Sequence, residues 1–246
     1  MLLKDISLNT PQENILYDEV LLHLAEEGLH GDEEILRFWE SEKVFIVLGR
    51  IGKAEHDIYM KEAFKNDIPI LRRSSGGGTV LQGKGCLNYT FILSKNRNRQ
   101  LSDLRRSYEV ILQPIIHALK RLGKDVQFFP VSDIALAQDR KKISGNSQKR
   151  GRRFILHHGT ILYDFNLNLM EKYLKIPQDI PQYRKGRSHA DFVANLKLPV
   201  SVIKTAMGEM LSLENKELQM TRREKECLES FLRLQKTKVD LKPFLN

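Results

Sequence analysis

The pattern of apolar and polar positions along the chain predicts five helices. Apolar residues recur at helical spacing over residues 14–27 and 102–122, with a glycine after each segment as a stop signal. Pro114 lies inside the second segment, so we expect that helix to be kinked or split. The other predicted helices cover residues 166–174, residues 200–211 and a last segment that opens on Thr221, whose spacing to Glu224 is that of a capping box.

Short apolar runs between these segments predict β-strands. Between two of the predicted strands lies a very basic connection, and residues 180–191 form a polar loop rich in Arg, Lys, Ser and His. There is no internal repeat and no linker before about residue 213, so we expect one domain over residues 1–200 with a short helical extension over residues 201–246. The predicted strands cover residues 43–49, 68–71, 87–93, 131–137, 153–156 and 159–164.

Composition narrows the class of protein. The chain has 246 residues, 41% of them hydrophobic, which is enough for a sizeable core. No apolar run has the length of a signal peptide or a membrane span, so we expect a soluble cytoplasmic protein. Two cysteines, Cys86 and Cys227, cannot build a disulfide framework or a cysteine metal site. The net charge of +9 favours an acidic partner, whether nucleic acid, nucleotide phosphates or an acidic protein.

A run of three glycines, residues 76–78, follows two arginines and lies between two predicted strands. Glycines let a backbone approach a ligand closely and point N–H groups at phosphate or carboxylate oxygens. The run is neither a P-loop nor a dinucleotide fingerprint. On its own it is equally consistent with a flexible turn.

A second candidate constellation lies further along the chain. Lys142 stands among small polar residues, and the pair His157 and His158 follows. A fixed lysine can polarise a carboxylate or stabilise an oxyanion, although a charge run taken alone is more often a solvated loop. Adjacent residues on a strand point to opposite faces, so the two histidines are poorly placed to share a metal ion.

Three linked blocks resemble one known family. The blocks Arg72-Arg-Ser-Ser-Gly-Gly-Gly-Thr-Val80, Lys142-Ile-Ser-Gly-Asn-Ser-Gln148 and His157-His-Gly-Thr-Ile-Leu162 are similar to those of the lipoate-protein ligase and octanoyltransferase family, which is related to biotin protein ligase. The resemblance covers about residues 14–198. It implies a mixed α/β (α+β) catalytic domain, with a mixed, largely antiparallel sheet flanked by helices and a ligand in a cleft over one sheet face.

The resemblance also implies a reaction and its residues. Lipoic acid or octanoate would react with ATP and Mg²⁺ to give an acyl-adenylate, and a carrier lysine would then take the acyl group. Lys142 would be the catalytic residue, and Asp133 would lie at the magnesium-bound nucleotide. The residues expected to bind substrate or adenylate are Arg72, Ser74, Gly76, Gly77, Gly78, Thr79, Asn88, Ser144, Gly145, His158, Gly159 and Thr160.

An ATP-independent transferase, which takes its acyl group from an acyl carrier, is the first alternative. Octanoyltransferases of the resembling family hold the acyl group on a cysteine, and the two positions that they use hold none here; one of them is Ile155. Cys86 is the alternative nucleophile, with a pKa that its glycine-rich turn and Lys84 would lower. The segment 82–86 also departs from the ligases' pattern, which leaves its role open.

The expected partner is an acidic lipoyl carrier domain. Large ligases of the resembling family carry a further C-terminal domain, so a separate accessory protein supplying that function is a possible second partner. A nucleic-acid-binding module is a distant alternative, because no stacking aromatic residues are interleaved with the basic segments.

Overall fold

The structure is a computed structural model and describes residues 1–31, 33–178, 180–213, 215–234, 237 and 239. Its helices are α1 Pro11–Glu26, α2 Ala54–Asp57, α3 Met60–Lys65, α4 Leu104–Arg121, α5 Asn168–Tyr173, α6 His189–Phe192, α7 Val200–Met210 and α8 Arg222–Arg233. Its strands are β1 Leu2–Asp5, β2 Ile35–Trp39, β3 Phe45–Leu48, β4 Ile70–Arg72, β5 Val80–Gln82, β6 Cys86–Ser94, β7 Val126–Phe129, β8 Asp133–Leu136, β9 Lys142–Arg150, β10 Phe154–Leu162 and β11 Lys216–Glu217.

These strands form two sheets. Eight of them make a large sheet in the order β11-β1-β2-β6-β10-β9-β8-β7, and β4-β3-β5 make a small one. All pairs from β2 to β7 in the large sheet are antiparallel, while β1 pairs in parallel with β2 and β11. The mixed, largely antiparallel fold that the resemblance implied is confirmed.

Strand β6 shows how the two faces of the large sheet are covered. Its odd-numbered residues, such as Leu87 and Phe91, pack with the core under α4 and α7. On the opposite face, Ile92 packs with α1 and α8, and Cys86 packs with the small sheet and its helices. Between them, Asn88 and Thr90 face a cavity. Alternation along a strand therefore leaves the middle of one sheet face free for a site.

The predicted helices are all present, with bounds shifted by a few residues. Asp103 rather than Ser102 caps α4, its side chain accepting a hydrogen bond from the Arg106 N–H. The helix runs on through Pro114, so of the two expected effects the split does not occur. The apolar residues on both sides of Pro114 pack on the same sheet. In the described part of the chain, no helix has both the length and the apolar character that crossing a bilayer requires.

The prediction of a basic connection between two strands is wrong, because most of that segment forms strand β9. Its backbone pairs with β8 on one side and β10 on the other, which gives a central strand despite its polar composition. The two strands predicted over 153–164 are likewise one strand, β10. The predicted boundary at residue 200 stays a prediction, and residues 214, 235, 236, 238 and 240–246 of the expected extension lie outside the described residues.

A buried ion pair fastens the last described helix to the start of the chain. Lys4 Nζ lies 3.0 Å from Glu224 Oε1, and both side chains are fully buried. Glu224 also accepts hydrogen bonds from the Tyr17 hydroxyl and from the Thr221 backbone, where it completes the predicted capping box. Lys4 has a second partner in Glu217. Helix α8 is thus held by a desolvated charge as well as by its apolar face.

We expect Glu224→Ala to lower the free energy of unfolding by about 3 kcal/mol, because it leaves the buried Lys4 ammonium with one carboxylate and removes the cap. Urea denaturation measures this loss. Glu226→Ala on the same helix is the control, since its pair with Arg222 is exposed to solvent and should contribute little to stability. Equal losses for the two variants would contradict the buried-pair argument.

Candidate active site

A cavity of about 860 Å³ lies over the free middle of the large sheet. Two rows of cross-strand neighbours form its floor. One row joins Trp39, Asn88, Thr160 and Gly145, and the other joins Thr90, His158 and Ser147. Residues directly opposite one another on paired strands point to the same face, so each row presents its side chains together. Gly77, Gly78, Pro177 and residues 180–184 line the cavity as well.

A β-bulge turns Lys142 toward this cavity. Ile134 pairs with Ser144, whereas the next residue, Ala135, pairs with Lys142, so Ile143 is the extra residue of β9. Strict alternation from Gly145 would place Ile143 in the cavity. The extra residue reverses this: Ile143 is buried in the core beneath α4, and Lys142 lines the cavity.

Lys142 is held in place by a carboxylate. Its Nζ lies 2.9 Å from Asp133 Oδ1, and the second oxygen of Asp133 accepts a hydrogen bond of 2.6 Å from the Tyr183 hydroxyl. Burial, and next the Asp133 carboxylate, raise the pKa of Tyr183, so its phenol stays protonated and donates. A Cβ on Gly145 would lie 2.7 Å from Lys142 Cε and Nζ. The glycine therefore gives the lysine side chain room to lie across the strand.

The buried side chain of Arg73 holds the glycine run through hydrogen bonds to its backbone. Its guanidinium donates to the carbonyls of Gly76 and Gly78 at 2.6 and 2.8 Å, and its Nε donates to Ser75 Oγ. Burial lowers the pKa of Arg73 to about 10, so the group keeps its charge at neutral pH. Gly49 approaches the run closely, since a Cβ there would lie 2.0 Å from the Gly77 carbonyl oxygen.

Arg72, which we expected at the substrate, points elsewhere. Its guanidinium donates to the backbone carbonyls of Gly49, Arg50 and Gly52, and it does not line the cavity. Adjacent residues of an extended segment face opposite ways, so only one of the two arginines can reach the site. Nothing in the sequence indicates that Arg73, and not Arg72, reaches the site.

A line of polar contacts connects His158 with the buried core. Its Nε2 lies 2.6 Å from Ser75 Oγ, and its Nδ1 lies 3.8 Å from Asp18 Oδ2. Asp18 Oδ1 in turn lies 2.6 Å from the Arg37 guanidinium. Burial acts to raise the pKa of Asp18, but Arg37, His158 and Thr90 together hold it below its usual value. Asp18 is therefore a buried carboxylate that orients His158.

The two histidines do face opposite ways. His157 is fully buried against the rings of Tyr89, Phe91 and Tyr108, and burial lowers its pKa to about 3. It is therefore a neutral core residue, while His158 lines the cavity.

Cys86 is not an activated thiol. It is fully buried between the large sheet and the small one, and burial raises its pKa to about 12. The expected lowering of this pKa is wrong, because the turn carries Lys84 into solvent, where its ammonium pairs with Glu42.

Most of the residues expected at the site lie together. The expected residues that do not line the cavity are Arg72, Ser74, Gly76 and Cys86. It brings to the wall Gly77, Gly78, Thr79, Asn88, Asp133, Lys142, Ser144, Gly145, His158, Gly159 and Thr160. Sequence reasoning missed Asp18, Arg73 and Asp57, the last of which accepts a hydrogen bond of 2.5 Å from the Thr79 hydroxyl.

The same residues do not fit a magnesium site built from side chains alone. One carboxylate oxygen of Asp133 accepts a hydrogen bond from Tyr183, and the other lies against the Lys142 ammonium. Among the described residues, no three His, Cys, Asp or Glu side chains are grouped closely enough to hold a metal ion.

Comparison with known proteins shows which family the chain resembles. The family model described as "Lipoyl protein ligase A/B catalytic domain" matches residues 10–211. The chain is 28% identical over 190 residues to lipoate-protein ligase LplJ of Bacillus subtilis, a match that covers 77% of this chain and 54% of that relative. It is 29% identical over 194 residues to octanoyltransferase LipM of Oceanobacillus iheyensis, which covers 72% of this chain and 70% of that one. The chain thus spans about half the length of the first relative.

Solved structures share the fold. A bi-partite lipoate protein ligase of Thermoplasma acidophilum, studied with its E2 lipoyl domain, superposes with a TM-score of 0.79 at 22% identity, covering 94% of this chain and 91% of that one. A lipoate-protein ligase A bound with ATP gives a TM-score of 0.77 at 23% identity, covering 94% and 93%.

We expect Gly145→Ala to displace the Lys142 ammonium from Asp133 without unfolding the protein, because the clash falls on the flexible end of a side chain. Labelling of Lys142 by an amine-reactive ester, followed by peptide mass spectrometry, should rise as the ion pair is lost. Gly208→Ala in α7 is the control, since its Cβ meets nothing within 4 Å and the labelling should not change. Unchanged labelling in both variants would show that Gly145 is not what positions Lys142.

Proposed function

The chain belongs to the lipoyl protein ligase A/B catalytic domain family, and we propose that it is an ATP-dependent lipoate-protein ligase. In this reaction lipoate or octanoate attacks the α-phosphorus of ATP, which forms an acyl-adenylate and releases pyrophosphate. The neutral ε-amine of a carrier lysine then attacks the acyl carbon, and AMP leaves.

The observation that carries this proposal is the position of the two cysteines. A thioester relay needs a thiolate within reach of the acyl group. Cys86 is buried outside the cavity wall with a raised pKa, and Cys227 lies on α8, against the core that α8 shares with α1. With no third cysteine in the sequence, activation through a mixed anhydride with AMP is the route these residues favour.

The residues at the cavity can supply what adenylation requires. Charge develops on the phosphate and on the acyl oxygens, and fixed positive groups stabilise it without a protein nucleophile. Lys142, which is held by Asp133, would contact the acyl carboxylate and later the oxygen that leaves with AMP. Gly77, Gly78 and Thr79 line the same cavity, and their backbone N–H groups would meet the phosphate.

The second wall of the cavity would hold the acyl group. Ser144, Gly145, Gly159 and Thr160 lie on β9 and β10 beside Lys142, and Asn88 lies next to Thr160 on β6. His158 would contact the substrate from the second row. Magnesium would enter with the nucleotide phosphates, because the side chains described above do not form a site for it.

The acceptor in this proposal is a lipoyl carrier domain. The Thermoplasma neighbour was studied with such a domain, and the net charge of +9 suits an acidic partner. That neighbour is also a ligase in two parts, which supports a separate accessory protein as a second partner. ATP as co-substrate is supported by the ATP-bound neighbour.

Transfer without ATP is the second candidate. The relative named octanoyltransferase LipM is as similar as the ligase LplJ and matches over more of its own length. In that reaction, an octanoyl carrier would donate its acyl group directly to the lipoyl domain.

We expect the purified chain to add a lipoyl group to an apo lipoyl domain only when lipoate, ATP and magnesium are all present, as read by intact mass. Lys142→Ala should lower the rate by about 100-fold or more, because the oxyanion loses its fixed cation. Cys86→Ala should keep most of the activity. The neighbouring Lys141→Ala is the control and should match the wild type.

Two results would contradict ligation in favour of transfer. One is acylation of the lipoyl domain from an octanoyl carrier protein in the absence of ATP, with no product from free lipoate. The other is loss of activity in Cys86→Ala together with an acyl adduct trapped on that residue in the wild type.

A further inference from the structure

The hydroxyl of Tyr183 reaches the site from outside the large sheet. Asp133 and Lys142 begin the neighbouring strands β8 and β9, whereas Tyr183 lies on the short turn Gln182–Arg184, which lines the cavity. The hydroxyl donates to Asp133 Oδ2 at 2.6 Å, and Oδ1 lies 2.9 Å from Lys142 Nζ and 3.4 Å from Ser132 Oγ. The tyrosine thus fixes the carboxylate oxygen that the lysine does not use.

Two aromatic neighbours hold the Tyr183 ring beside the ion pair. Its centroid lies 4.7 Å from that of Phe129 and 5.2 Å from that of Phe192. Phe129 is the cross-strand neighbour of Asp133. Phe192 directly precedes the residue that bridges to the backbone of Lys142. Because these rings are attached to the backbone beside both members of the ion pair, the phenol has little freedom to point anywhere else.

The side chain of Arg187 fixes the turn that carries this tyrosine. It donates four hydrogen bonds of 3.0 Å to backbone carbonyls. Two of these carbonyls belong to the turn, at residues 183 and 184, and two belong to the connection between β8 and β9, at residues 139 and 140. The planar fork of a guanidinium suits several acceptors at once. One arginine therefore joins the turn to the connection between the strands of Asp133 and Lys142.

We propose that Tyr183 is a positioning residue, whose hydroxyl holds the Asp133 carboxylate in the orientation that keeps the Lys142 ammonium fixed in the cavity. A carboxylate with one oxygen released can turn about its side-chain bonds, and an ammonium on a flexible four-carbon stem follows it. A cation stabilises developing charge best when it is fixed in advance, so a loosened Lys142 would lower the barrier less. This effect on the rate rests on the proposed function, whereas the effect on Lys142 itself requires no reaction.

Tyr183→Phe tests this role, because it keeps the aromatic ring and removes only the hydroxyl. Labelling of Lys142 by an amine-reactive ester, read by peptide mass spectrometry, should rise about threefold or more as the ion pair loosens. In the ligation assay, kcat should fall about tenfold while KM for lipoate and for ATP changes by less than about twofold, since the loss falls on the transition state.

Tyr163→Phe is the matched control, because Tyr163 makes the same kind of contact outside the cavity wall. Its hydroxyl donates to Glu40 at 2.7 Å, and the other oxygen of Glu40 lies 3.6 Å from the ammonium of Lys204. This variant should keep the wild-type labelling of Lys142 and the wild-type kcat and KM.

Unchanged or weaker labelling of Lys142 in Tyr183→Phe would overturn the positioning role. A rise in KM alone would also overturn it, because the hydroxyl would then contact the substrate and not act through Asp133. Stronger labelling in Tyr183→Phe, together with a wild type that does not ligate lipoate with ATP, would leave the positioning of Lys142 standing and overturn the proposed function alone.

Discussion

The buried guanidinium of Arg37 is the contact on which both the fold and the site depend. It is fully buried and donates to the carbonyl of Ile6, to both the carbonyl and the side chain of Asn14, and to Asp18. A desolvated charge is tolerated only when its donors are satisfied, so this one group fixes the end of β1, the first turns of α1 and the strand β2 against each other. Asp18 also contacts His158, and His158 is hydrogen-bonded to Ser75, the residue directly before the glycine run.

This connection explains how a run of glycines can hold a defined shape. Three consecutive glycines have no side chains with which to fix themselves, and their conformational freedom is costly to restrain. Here the restraint comes from outside: Arg73 takes two of the carbonyls, and Ser147 Oγ donates to Gly76 at 2.8 Å. The shape of the loop therefore depends on hydrogen bonds from Arg73 and Ser147 to its carbonyl groups.

How far the sequence predicts this structure depends on the kind of signal. Long periodic segments such as α1 and α4 could be predicted, and so could the cavity residues that belong to linked blocks, Lys142 and His158 among them. Strand β9 could not, because its apolar pattern is broken by a bulge and its polar side chains pair with neighbours rather than with water. Asp18 was missed for a related reason, since a charged residue within a helix is more often on a solvated face. Partners distant along the chain decide such cases.

The charges in the cavity give it a direction. Lys142 and Arg73 lie toward β9 and the glycine run, whereas Trp39, Asn88 and Gln82 contribute uncharged side chains at the opposite end of the first row. The Arg37 guanidinium, which lies over the Trp39 ring, is already paired with Asp18. In the proposed reaction, an amphipathic acid would therefore lie with its carboxylate at Lys142. Lys142 reaches this position through the bulge in β9, which pairs with β8 on one side and with β10 on the other. The proposed reaction therefore depends on the sheet register, because a shift of β9 by one residue would turn the Lys142 side chain toward the opposite face of the sheet.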